Sequence, residues 1–456
     1  MRADRSRLPD VGSDPAFRFP FVARHTLHNG LQVRTVEHHT VPVVTMVVQV
    51  DGGAVADPRG REGLAGITAD MVDEGTGSLN AIEVSEGFAR IGAEYNVDVG
   101  ADAMCFSLTT LSRFAARGAS LLADLLIRPS LRESDFDRVR QLRLDRLRQL
   151  KDLPPAVAER AFLRLMYGEH PYGHLPIGNA LALGALKRED VAAFHAARFR
   201  PSRATMIVAG PLSHDGLLRL ADGAFSGWPE VSTPVDVCAV PDADQAASPT
   251  RLAVVPREAA PQSELRIGHL SARRNTPDYP ALLVMNAVLG GQFVSRLNLK
   301  LREEKGYTYG ARTEFDWRRG IAPFSLQASV HTASTADAIS DCLAELHGIR
   351  GSRPPSDREM FLAKASLTRG YPRGFETAQQ VARSVAQLAL YGLPDTYFEE
   401  FVPRVNTVEA ADVIRAAERY IDPARALTLV VGDYQEVAES LRPLGLGEPQ
   451  LLPADV

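Results

Sequence analysis

One internal repeat constrains this chain more than any other feature of its sequence. The segment Val191-Ala192-Ala193-Phe194-His195-Ala196-Ala197-Arg198-Phe199-Arg200-Pro201 leads into Met206-Ile207-Val208-Ala209-Gly210. Its counterpart Val413-Ile414-Arg415-Ala416-Ala417-Glu418-Arg419-Tyr420-Ile421-Asp422-Pro423 leads into Thr428-Leu429-Val430-Val431-Gly432. Pro423 follows Pro201 by 222 residues, close to half of the 456-residue chain. In each copy a helix stops at a proline, which has no N–H to continue the ladder, and a buried strand closed by glycine follows. Self-similarity at this offset predicts two homologous halves. The boundary is expected between Ser226 and Thr250, where Pro229, Pro234, Pro241 and Pro249 stand among Asp, Ser and Ala, a linker composition. The halves are therefore read as residues 1–235 and 236–456.

Periodicity fills the first half with both kinds of element. Thr26 to Glu37 and Val43 to Asp51 are β-rich, Ala93 to Val99 and Ala103 to Leu111 read as a hairpin, and Ile82 to Ile91 and Phe114 to Ile127 have helical spacing. Glu133 to Lys151 is a long basic helix. Acidic residues elsewhere bring the formal charge to -5, so its arginines read as a solvated face, with neither nucleic acid nor an anionic membrane expected as a partner. Cys105, Cys238 and Cys342 are far apart and odd in number, which points to structural thiols. The pair His38-His39 sits in an inter-strand loop without a suitable carboxylate motif. No apolar run approaches the roughly 18 residues of a membrane span. The polar start of the chain lacks the apolar core of a signal peptide, so a cytoplasmic location is expected as written, or a periplasmic one if a leader has been removed.

The stretch Gly63 to Thr76 reads as a short helix on Leu64, Ile67, Met71 and Val72. Upstream lie Leu27-His28-Asn29-Gly30-Leu31-Gln32-Val33, the strand from Val43 and the turn Asp57-Pro58-Arg59-Gly60; downstream lie Asp152-Leu153-Pro154 and His170-Pro171-Tyr172-Gly173. In this order the pieces resemble the insulinase (pitrilysin-type) zinc metallopeptidases. In that family the first helix carries the inverted motif His-x-x-Glu-His: two metal-binding histidines and a glutamate that polarises water. The resemblance places the first histidine at Gly66, the glutamate at Ala69 and the second histidine at Asp70, so all three are lost. Counting back from the Asp-Leu-Pro turn places the remaining ligand near Arg146. The adjacent Asp145 is expected to point about 100° away on the helix. A lone aspartate does not make the three-ligand open site that zinc catalysis requires, so no metal is expected on this chain.

The second half keeps its part of the pattern. Ser295-Arg296-Leu297, then Leu301-Arg302-Glu303, Gly306 and Tyr309 match a family segment whose arginine and tyrosine reach the substrate at the zinc, here Arg302 and Tyr309. The chemistry suits those residue types, since a guanidinium orients a peptide carbonyl or carboxylate, and a phenol donates to the oxyanion formed when water attacks an amide. Arg302 is expected on the last turn of a helix and Tyr309 at the start of the next strand. Asn96 matches an asparagine on the strand bordering the family's active site and is a further substrate-binding candidate. Gly52-Gly53 and Gly290-Gly291 lack the Gly-Lys-Ser/Thr ending of a phosphate loop and read as turn or packing glycines.

What the resemblance implies is an α+β chain of two homologous halves, each a largely antiparallel sheet packed with helices, closing like a clam shell over a chamber where substrate adds as a strand. A zincless first half with an intact second-half motif implies the non-zinc subunit of a two-chain metallopeptidase. Such a chain is inactive alone; Arg302 and Tyr309 act on a peptide held at the zinc of a homologous partner with an intact His-x-x-Glu-His. The alternative is a catalytically silent structural or peptide-binding relative, like the core subunits of the respiratory cytochrome bc complex. An independent hydrolase finds no Gly-x-Ser-x-Gly elbow or Cys-His arrangement to support it.

Overall fold

A computed structural model describes residues 17–230 and 250–453. The expected boundary at 235/236 lies outside the described residues. The first half contains β1 (Val22–Thr26), β2 (Gln32–Glu37), β3 (Val43–Asp51), a ribbon of β4 (Gly75–Thr76) and β5 (Leu79–Asn80), β6 (Glu94–Val99), β7 (Ala103–Leu111) and β8 (Ala204–Gly210). The second half contains β9 (Leu252–Pro256), β10 (Gln262–Leu270), β11 (Ala311–Phe315), β12 (Pro323–His331), β13 (Leu427–Gly432) and β14 (Gln450–Leu451).

The two six-stranded sheets have the orders β1-β2-β8-β3-β7-β6 and β11-β12-β10-β13-β9-β14. Read from their inner strands they coincide. β2 runs parallel to β8 as β9 does to β13, and the antiparallel series β8-β3-β7-β6 has its counterpart in β13-β10-β12-β11. Only the outermost strand beside β2 or β9 departs. β1 pairs antiparallel, whereas β14 arrives from the other end of the chain and pairs parallel. Pro201 and Pro423 stand just before β8 and β13, so the repeat marks equivalent points of one topology.

Each sheet buries one face under helices of its own half. In the first half Met46, Val48, Phe106 and Leu108 meet Leu121, Leu122 and Phe136; in the second Leu265, Ile267, Phe324 and Leu326 meet Leu282, Met285 and Ile339. The opposite faces are covered by exchange. Helix Ala378–Tyr391 places Val381, Val385 and Leu388 against Val47, Ile207 and Ala209 of the first sheet. Helix Pro154–Tyr167 places Val157, Phe162 and Met166 against Val255, Leu429 and Val431 of the second. A fully buried side chain of this size stabilises by about 1.5–3 kcal/mol, so each half depends on the other for the burial of one face. Polar contacts reinforce the seam: the Arg319 guanidinium pairs with Asp51, and the Arg319 N–H donates to Asp102 at 2.9 Å.

The basic helix lies at Glu133–Lys151, as its spacing predicts. Most of its arginines pair with nearby acids, among them Arg138 with Glu74, Arg140 with Asp137 and Arg148 with Asp145. Cys105 and Cys342 are free thiols, and burial raises both pKa values, that of Cys105 to about 11; Cys238 lies outside the described residues. His39 is exposed and pairs with Glu37. Among the described residues no helix is long and apolar enough to cross a membrane.

Candidate functional site

The helix aligned with the metal motif is Leu64–Met71, shorter than the Gly63–Thr76 expectation. It has no side-chain cap of its own, because Gly63 precedes it with φ 100°. The carboxylate of Asp57, fully buried, does the capping from the preceding turn, accepting from Gly63 N at 2.7 Å and Ala65 N at 2.6 Å. Negative charge at this end also suits the helix dipole. His174 holds the same carboxylate at 3.0 Å.

The helix points Asp70 into a cavity of about 500 Å³, which Asp73, Tyr95, Asn96, Arg143 and Arg146 also line. One wall is the edge strand β6. Arg143 governs the interior. It is 9 % exposed, its guanidinium forms an ion pair with Asp70, and its Nη2 donates to the carbonyl of Pro176 at 2.6 Å. A Cβ on residue 66 would lie 2.2 Å from that carbonyl oxygen and 2.3 Å from Arg143 Nη2, so no side chain stands there without displacing both. Asp145 faces away, paired with Arg148 and accepting from Gln141. Among the described residues no three His, Cys, Asp or Glu side chains assemble as a ligand set. The residues present do not fit a zinc ion: a guanidinium already neutralises the one carboxylate aligned with a ligand position. Burial first, then the neighbouring Glu74 and Asp70, push the Asp73 carboxyl up to about 6.

A second cavity, of about 550 Å³, lies at β11, the edge strand of the other sheet. Its floor holds the buried pair Glu264 and Arg266 with Gln327 and Asn298; its mouth holds Phe293, Tyr309 and Arg312. Gly290 and Gly291 form part of the wall. A Cβ on Gly290 would come within 2.7 Å of Thr313 and one on Gly291 within 2.5 Å of Asn286, so close packing requires glycine at both positions.

Arg302 lies in the last turn of a π-helical segment, Asn298–Glu304. Tyr309 precedes β11 by two residues, so it belongs to the connection and does not open the strand. Its side chain is 90 % exposed. Arg302 does not line the cavity. Its guanidinium sits 4.3 Å over the Phe293 ring and 3.5 Å from Glu303. Phe293 thus carries Arg302 and shares the cavity with Tyr309. Asn96 is not brought to this pair; it lines the Asp70 cavity and donates to Glu94 at 3.0 Å.

Arg143 is the residue that sequence reasoning passed over. The signal was present: Phe136, Val139, Arg143 and Leu147 are the buried positions of their helix, so an arginine sits on the apolar stripe, where an unpaired charge is costly.

The chain matches two family models in succession, insulinase (peptidase family M16) over residues 32–178 and peptidase M16 inactive domain over residues 185–367. It belongs to the insulinase (M16) peptidase family. At the position aligned with the family's metal motif, Arg143 pairs with Asp70 and crowds Gly66. It is 25% identical over 411 residues to an uncharacterized zinc protease of Mycobacterium tuberculosis, covering 90% of this chain and 93% of that one. A mitochondrial-processing peptidase subunit beta of Lentinula edodes is 23% identical over 414 residues, covering 88% of each. The crystal structure of a peptidase M16 inactive domain from Pseudomonas fluorescens superposes with a TM-score of 0.82 at 21% identity, over 90% of this chain and 98% of that one. The M16 fold is thus present in both halves.

Proposed function

We propose that this M16 chain is the non-zinc subunit of a heterodimeric metallopeptidase. It contributes Arg302 and Tyr309 to a peptide held at the zinc of a homologous partner that retains His-x-x-Glu-His. The observation that carries the reading is the contrast within the chain. At the metal position Gly66, Asp70 and Arg143 are committed to packing and to each other, whereas Tyr309 is 90 % exposed at the mouth of a cavity on a free sheet edge. A relative that is by name one subunit of a processing peptidase agrees with a divided enzyme. In this role the Tyr309 hydroxyl donates to the oxyanion, and Arg302, preorganised on Phe293, orients the peptide.

The test is reconstitution with the zinc-bearing homologue and a peptide substrate. Tyr309→Phe is expected to assemble normally and lose about 100-fold in turnover, because the lost donor acts mainly in the transition state. Arg302→Ala is expected to raise KM as well. Full activity from a correctly assembled double variant would leave the chain a silent structural relative.

A further inference from the structure

We propose that Arg143 is a built-in metal excluder, so that ligands restored to this pocket bind zinc only when Arg143 is also removed. Its guanidinium does three things that each work against a metal. It fills the space above Gly66, where a Cβ would lie 2.3 Å from Nη2. It holds the Pro176 carbonyl, at 2.6 Å, against the same position, 2.2 Å from that Cβ. It also brings a fixed positive charge to Asp70, the second aligned ligand position, which repels a dication. The remaining aligned position, Arg146, lines the same cavity as Asp70 and Arg143, and Gly66 abuts that cavity through its contact with the Arg143 guanidinium. Arg143 lies on a different helix from Gly66 and Asp70, Glu133–Lys151, and its burial to 9 % exposure leaves the guanidinium little room to withdraw. The loss of metal therefore has two layers, absent ligands and an occupying cation, and restoring the first does not undo the second. The inference uses the family alignment of positions 66, 70 and 146 and does not involve Arg302 or Tyr309, so failure of the partner-subunit reading leaves it standing.

Two full-length variants test it: Gly66→His/Asp70→His/Arg146→Glu, and the same three changes with Arg143→Ala. Each is incubated with zinc alone, desalted and analysed for metal. The triple variant is expected to retain essentially none and the quadruple variant about one zinc per chain. Stoichiometric zinc on the triple variant would overturn the proposal, as would a folded, monodisperse quadruple variant that retains none. Should the quadruple variant not fold, a thermal-melt cycle of Gly66→Ala and Arg143→Ala decides. Gly66→Ala is expected to lower Tm by about 5 °C or more in the natural chain and by less than half as much beside Arg143→Ala. Additive shifts would show that Arg143 does not close the position.

Discussion

The two cavities stand beside equivalent edge strands, β6 and β11, yet their polar side chains are used in opposite ways. Beside β6 they hold the fold. Arg143 ties the helix of Asp70 to the loop at Pro176, and residue 66 is glycine because nothing larger fits. Beside β11 the floor is equally fixed, but at the mouth Tyr309 and Phe293 are exposed and the Arg302 guanidinium rests on an aromatic ring. A side chain that contributes little to stability is free to serve a bound molecule, and the role proposed for Arg302 and Tyr309 rests on that difference.

Stability measurements can break that comparison. Arg143→Ala is expected to give the largest loss, about 3 kcal/mol in urea unfolding, since it leaves Asp70 and the Pro176 carbonyl unpaired. The solvent exposure of Asp70 keeps the loss at the lower end of the range for buried pairs. A change below about 1 kcal/mol would mean that the first cavity is no more committed than the second.

Next comes a stabilising change. With its pKa raised to about 6, Asp73 binds its proton more tightly in the folded chain than in the unfolded one, where about 3.9 is usual. The folded state therefore holds more protons across the window from about pH 4 to 6. The contribution of Asp73 is fully present below that window and is lost as pH rises through it. Asp73→Asn is expected to stabilise by about 2 kcal/mol at pH 8 and to change little at pH 4. Equal effects at the two pH values would remove this carboxylate from the account. The smallest effects belong beside β11: Tyr309→Phe and Arg302→Ala should each stay within about 0.5–1 kcal/mol of the natural chain by the same unfolding assay. A larger loss would make them fold residues.

Local signals made most of the architecture legible. Val43 to Asp51, Ala103 to Leu111 and Glu133 to Lys151 carry their own periodicity, and the structure places those three elements at the same bounds. The repeat around Pro201 and Pro423 carried the duplicated topology. What stayed hidden depends on tertiary partners. Amphipathic patterning shows that helices Pro154–Tyr167 and Ala378–Tyr391 have an apolar face but not which sheet receives it. Arg143 escaped for the same reason, because its role exists only once Gly66, Asp70 and Pro176 surround it. The placement of Tyr309 ahead of β11 was likewise set by packing, with Asn298 Oδ1 accepting from Ala311 N at 2.9 Å.

The exchanged helices also have a consequence for synthesis on the ribosome. The first sheet has its last strand, β8, once Gly210 has been made, but the helix that covers its second face ends at Tyr391, roughly 180 residues later. At about 5–20 residues per second that is an interval on the order of 10–40 s. During it Val47, Ile207 and Ala209 lack the helix that covers them, so the nascent first half carries an uncovered apolar face of the kind that favours aggregation.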